Sequence, residues 1–171
     1  MVDRRTSCCF TGHRVIPRAE YSGLVVALDR TLEELVGHGY TDFFAGGALG
    51  FDTLAALRVI ALRQKYPSLS LHLILPCRDQ TLGWSGESID IYNGIIAAAD
   101  SVGYVREAYR RGCMQERNRA LVDSASVCVC YLNGRKKGGT AGTVKYAMAN
   151  NVGIINLGRE EISDGQQRLT I

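Results

Sequence analysis

Asp42-Phe43-Phe44-Ala45-Gly46-Gly47-Ala48-Leu49-Gly50-Phe51-Asp52 runs from a short apolar strand through a glycine-rich turn into a helix. The strand is the apolar run Asp42 to Ala45. The helix shows in Leu54, Ala55, Leu57, Val59, Ile60 and Leu62, which recur at helical spacing before Pro67. A strand that is apolar throughout, followed at once by a helix, belongs to a parallel sheet covered on both faces.

The same unit repeats on either side. Ser7 to Phe10 reads as a first strand, ending in Thr11-Gly12-His13-Arg14 and followed by a helix from about Arg18 to Val36. Leu24, Leu28, Leu32 and Leu35 give that helix an apolar face, and Gly37 and Gly39 stop it. Leu69 to Leu75 is a third strand closed by Pro76. The polar segment Asp79 to Ser88 holds the single tryptophan, Trp84, and enters a helix ending near Ala99. Ser101 to Val105 is a weaker strand, residues 106–113 are irregular and basic, and Met114 to Ser124 is a helix. Val127 to Leu132 is a strong strand, Asn133 to Gly138 a loop, Gly139 to Asn150 a helix and Val152 to Leu157 the last strand. The tail from Gly158 is polar and is expected to be loosely held. The expected fold is α/β, a Rossmann-like three-layer sandwich with a mostly parallel sheet of about five or six strands. It forms a single domain over residues 1–171, with its core at about 6–157.

Composition narrows the function classes. The chain has 171 residues, 46% apolar and 22% charged, with a net charge of +3, as in one soluble globular domain. So small a charge does not force a nucleic-acid or membrane partner. No long apolar segment spans a membrane, and the N-terminus lacks a signal-peptide pattern, so the expected location is cytoplasmic. The six cysteines form no Cys-x-x-Cys pair, and His13, His38 and His72 show no paired ligand spacing. The thiols read as core residues, with no metal and no disulfide expected.

Ligands of parallel α/β sheets bind outside the carboxyl ends of the strands. Four polar or glycine-rich segments fall there: Thr11–Arg14, Gly46–Asp52, Arg117–Asn118 and Gly138–Thr143. Gly46, Gly47, Ala48 and Gly50 let backbone amides approach an anion at a helix N-terminus, or else make a tight turn with no ligand. Asp52 would repel a phosphate; it suits ribose hydroxyls or caps its own helix. Gly138, Gly139, Thr140 and Thr143 form a second loop of the same kind, preceded by Arg135, Lys136 and Lys137. Among the arginines of the 106–119 stretch, Arg117 is singled out as a phosphate ligand, with Asn118 beside it to read a base or ribose. His13 is either an acid–base group or a structural histidine. Trp84, Tyr92 and Tyr109 are candidates for stacking on a base.

Thr11-Gly12-His13-Arg14, Gly46-Gly47-Ala48-x-Gly50-x-Asp52, Pro76 with Gln80 and Trp84, Arg117-Asn118 with Asp123, and Gly138-Gly139-Thr140-x-x-Thr143 with Ala147 together resemble the YpsA family. That family sits in the SLOG superfamily with the DNA-processing protein DprA and the Lonely Guy phosphoribohydrolases. The resemblance implies a Rossmann-like fold and a nucleotide-type ligand at the glycine loops. Lonely Guy enzymes carry a catalytic glutamate after their glycine loop; the counterpart here is Tyr146, leaving Glu87 and Asp79, with His13, as candidate catalytic groups.

The expected function is therefore binding, by sensing or sequestering, of a nucleotide or NAD-derived signalling nucleotide, with no cofactor required. One alternative is an N-glycosidic or phosphate hydrolase of nucleotides. Another is single-stranded nucleic-acid binding, for which Tyr104 and Tyr109 lie among arginines. Analogy with related folds implies a homo-oligomer.

Overall fold

The computed structural model describes residues 2–134 and 137–158. Six strands form one sheet with every neighbouring pair parallel: β1 (Ser7–Gly12), β2 (Asp42–Ala45), β3 (Ser70–Leu75), β4 (Ser101–Tyr104), β5 (Val127–Tyr131) and β6 (Gly153–Asn156). The helices between them are α1 (Arg18–Gly37), α2 (Phe51–Leu62), α3 (Gly86–Ala98), α4 (Cys113–Asp123) and α5 (Gly139–Ala149). The expected order of elements holds throughout, and the sheet among the described residues is wholly rather than mostly parallel. Arg135, Lys136 and the tail beyond Gly158 lie outside the described residues.

Period two along the strands splits the core into two layers. Cys8, Phe10, Phe43, Leu71, Leu73, Val127 and Val129 face α1, α2 and α3. Cys9, Phe44, Cys128 and Cys130 face the other way, onto Leu121 and Val122 of α4 and Val144 and Ala147 of α5. All six cysteines are buried. Two of them, Cys9 and Cys128, stand opposite one another in the β1–β5 register.

The strand order is β4-β3-β2-β1-β5-β6. The chain therefore walks outward from β1 to β4, then returns to lay β5 on the other side of β1. The connections leaving β1 and β5 diverge to opposite faces, which opens a crevice at their carboxyl ends. Two residues shape its floor. Phe51, the first residue of α2, is fully buried, its ring stacked on Tyr131 at 6.0 Å and edge-on to Phe10 at 6.5 Å. Gly12 makes room for it, since a Cβ there would stand 2.4 Å from the Cβ of Phe51.

Candidate functional site

At the β1–β5 crevice lies a cleft of about 520 Å³. From β1 and the turn after it come Thr11, Gly12, His13 and Arg14; from the loop after β5, Asn133; from α4, Met114, Arg117 and Asn118. Lys137, Gly138, Gly139 and Thr140 close it at the start of α5, and Ala48 of the turn after β2 and Asp52 of α2 reach in. Segments expected to converge from four places in the sequence do meet here. Asn133 and Met114 were not foreseen. Asn133 carried a signal, its place immediately beyond the strong strand; Met114 carried none.

The two glycine loops meet this cleft differently. The N-terminus of α5 opens onto it. Its N-cap is Gly138, at φ +118°, and no side chain caps the helix. The Gly142 N–H bonds back to the Gly138 carbonyl, so the amides of Gly139, Thr140 and Ala141 form the first turn, the one that lacks intrahelical acceptors. Cβ atoms at Gly138 and Gly139 would meet nothing within 4 Å. Thr143, also expected to bind, is buried one turn on, its hydroxyl donating to the Gly139 carbonyl at 2.8 Å.

The Gly46–Gly50 loop is filled from within the protein. The Asp52 carboxylate accepts from the Ala48 amide at 3.4 Å and stands 3.6 Å from the Arg117 guanidinium. Asp52 and Arg117 are 4% and 5% exposed. Arg117 also donates to the Gly46 carbonyl and, through Nε, to Asn118 Oδ1 at 2.8 Å. Burial pushes the Asp52 carboxyl above its usual range against the pull of Arg117, and burial likewise lowers the Arg117 guanidinium. Gly46 and Gly50 are required by close approach: a Cβ would lie 2.1 Å from Arg117 Nη1 at the first and 2.3 Å from the Arg14 carbonyl at the second. Gly47, at φ +68°, packs on Leu75, and its carbonyl accepts from Gln80 Nε2 at 2.7 Å. None of these three glycines lines the cleft. Arg117, expected as a phosphate ligand, lines the cleft but is engaged in a buried ion pair with Asp52, and its loss would strand a carboxylate.

His13 bridges the crevice. Its backbone N–H donates to the Tyr131 carbonyl at 3.3 Å, and Nε2 accepts from the Asn133 amide at 3.2 Å, which places the ring proton of the neutral form on Nδ1. Arg14 is exposed, with no hydrogen bond or ion pair among the described residues. It and Met114 form the wall between this cleft and a second one of about 530 Å³ that holds Asp79, Gln80, Trp84 and Tyr109. Asp79 accepts from the Tyr109 amide at 2.8 Å. Glu87, in the first turn of α3, lines neither cleft.

Other arginines of the 106–119 stretch are engaged elsewhere. Arg106 forms a two-bond pair with Glu116 at 2.7 and 2.9 Å, and Arg119 lies over the Tyr146 ring at 5.6 Å. Tyr146 donates to Asp123 at 3.1 Å and stays outside both clefts. No group of three His, Cys, Asp or Glu side chains suited to a metal occurs among the described residues. Nor is any described helix long and apolar enough to cross a membrane.

Residues 17–153 match the family model YpsA, described as the YspA SLOG family. The chain belongs to the YspA SLOG family. Its curated relatives include a UPF0398 protein of Bacillus pumilus, 27% identical over 70% of this chain and 66% of that protein. A UPF0398 protein of Brevibacillus brevis is 29% identical over 67% of this chain and 57% of its own length. The chain thus spans about three fifths to two thirds of these relatives. Among solved structures, DNA processing protein A from Helicobacter pylori, described with a single-stranded DNA binding mode, superposes with a TM-score of 0.64 at 18% identity, over 96% of this chain and 66% of that one. The structural-genomics target TM1055 superposes at 0.54 with 20% identity, over 86% and 71%. At such identities the two structures establish the Rossmann-like fold of this SLOG chain and nothing finer.

Proposed function

We propose that the crevice between β1 and β5 binds a nucleotide or nucleotide-derived ligand, with a phosphate on the amides that open α5. The observation that carries this is the uncapped helix N-terminus facing a cleft with Arg14 and Lys137 on its walls. Oriented amides and a helix dipole favour an anion at that place. Among the described residues the one acidic side chain lining the cleft, Asp52, is already balanced by Arg117.

Binding without turnover is favoured over hydrolysis. N-glycosidic cleavage needs a carboxylate set against the sugar. Tyr146, at the position of the Lonely Guy glutamate, is turned to Asp123; Glu87 lines neither cleft and Asp79 already holds a backbone amide. Single-stranded nucleic acid is the competing reading, supported by Tyr109, which is exposed beside the exposed Arg110 and Arg111.

Calorimetry with AMP, NAD and ADP-ribose, followed by chromatography of the mixtures, tests both points. The expected result is saturable binding with the ligand recovered intact. Arg14→Ala or Lys137→Ala should weaken it about tenfold, the scale of one charge-assisted hydrogen bond. Release of free base at enzymatic rates overturns the binding reading. Tight binding of a labelled oligothymidine alone moves the function to nucleic acid.

A further inference from the structure

We propose that the second cleft receives the base of the ligand, and that the Gln80 side-chain oxygen there selects an amino-bearing base, adenine foremost. The inference rests on the nucleotide reading of the first cleft and adds to it the identity of the base.

The two clefts share Arg14 and Met114, so a ligand with its phosphate at α5 can pass along Arg14 into the second. The chemistry changes across that boundary. The second cleft is lined by Trp84, Tyr109, Leu82 and Met114, with Tyr109 and Leu82 64% and 78% exposed. Aromatic and aliphatic walls suit the faces of a heterocycle. Asp79 beside them disfavours a second phosphate.

Gln80 supplies the specificity. It is 8% exposed and lines this cleft. Its Nε2 donates to the Gly47 carbonyl at 2.7 Å, and a carbonyl can only accept, so the amide cannot be turned round. Oε1 is thereby fixed as an acceptor, and it has no donor in the structure. The hydroxyl of Tyr92, whose ring meets the Trp84 ring edge-on at 5.5 Å between centroids, is likewise unpartnered. An orphan acceptor buried just behind the wall of a cleft can be satisfied by a donor from the ligand. The exocyclic amine of adenine provides one, and glutamine is well suited to that edge. A base with a carbonyl in that place, such as hypoxanthine, sets oxygen against oxygen. Oε1 is closed to solvent, so the base reaches it only as a side chain of the cleft swings aside.

The test compares AMP, IMP and ribose 5-phosphate on the full chain by calorimetry. AMP should bind about tenfold more tightly than IMP, the discrimination expected of one good polar pair to a base. Gln80→Met should bring the ratio to about one, with thermal melting to verify its fold. Trp84→Ala should weaken AMP and IMP together relative to ribose 5-phosphate. Equal affinities of the unmodified protein for AMP and IMP overturn the base reading while leaving the phosphate cleft intact, and need no variant. A ratio that persists in folded Gln80→Met overturns it too. Failure of both ribose 5-phosphate and AMP to bind removes the nucleotide reading itself.

Discussion

The Gly46–Gly50 and Gly138–Thr143 loops look alike in sequence, each a glycine cluster between a parallel strand and a helix. In the structure they are opposites. The first has its anion built in: the Asp52 carboxylate takes the Ala48 amide and is matched by Arg117. The second leaves its amides uncapped beside Arg14 and Lys137. The glycines differ accordingly. At Gly46 and Gly50 a Cβ collides with the protein's own atoms, whereas at Gly138 and Gly139 it would meet open space. A glycine loop can therefore be filled from within or left open, and the carboxylate two residues beyond Gly50 decides which.

Removing Arg117 should strike this difference hardest. Arg117→Ala leaves Asp52 buried without its counter-ion, which costs about 3–5 kcal/mol of stability. Chemical denaturation would measure it. The double variant Arg117→Met with Asp52→Asn should recover much of the loss, because the uncompensated charge goes with the pair. A single variant as stable as the parent would mean that the first loop is not held together from within.

Glycine-to-alanine exchanges sharpen the contrast. Gly50→Ala meets both a φ of +79° and a carbonyl 2.3 Å from the new Cβ, and should cost about 3 kcal/mol or more. Gly139→Ala meets no neighbour within 4 Å and should change stability by no more than about 0.5 kcal/mol. Equal melting temperatures for the two variants would erase the distinction between the loops.

Sequence periodicity carried the fold, because mostly apolar strands alternate with helices, the first stopped by Gly37 and Gly39 and the second before Pro67. The convergence of Thr11–Arg14, Asn118 and Gly138–Thr140 was legible for the same reason: parallel topology alone brings strand ends to one edge. What the residue types could not say was which charges are already spent. An arginine next to an asparagine looks like a ligand-binding pair, but Asn118 Oδ1 holds Arg117 Nε at 2.8 Å, and the guanidinium faces Asp52 sixty-five positions away. Only the packing of α4 against the β2 turn reveals that. Gln80 was visible within the motif set, but its orphaned oxygen depends on the Gly47 carbonyl that binds its other end.

The smallest expected effect uses one tyrosine near each loop. Tyr92 lies under the first, 3.3 Å from where a Gly47 Cβ would be, and Tyr131 ends the strand that leads to the second. Burial is the main cause that pushes both phenols up to about 12, with the proximity of Tyr104 adding at Tyr92 and the hydrogen bond to Glu20 adding at Tyr131. The unfolded chain releases these protons near the ordinary tyrosine value of about 10. The folded state thus holds protons that the unfolded state has lost, so this contribution to stability is complete below about pH 10 and disappears as the pH climbs to 12. Phenolate absorbance followed beside circular dichroism should show Tyr92 and Tyr131 titrating late, up to about pH 12, with Tyr146 also raised, chiefly by its hydrogen bond to Asp123. Glu20→Gln removes the negative charge at Tyr131 alone and should bring that one titration down while Tyr92 keeps its place. If no phenol titrates later than about pH 10 while the fold is intact, neither Tyr92 nor Tyr131 is enclosed as the packing around the two loops requires.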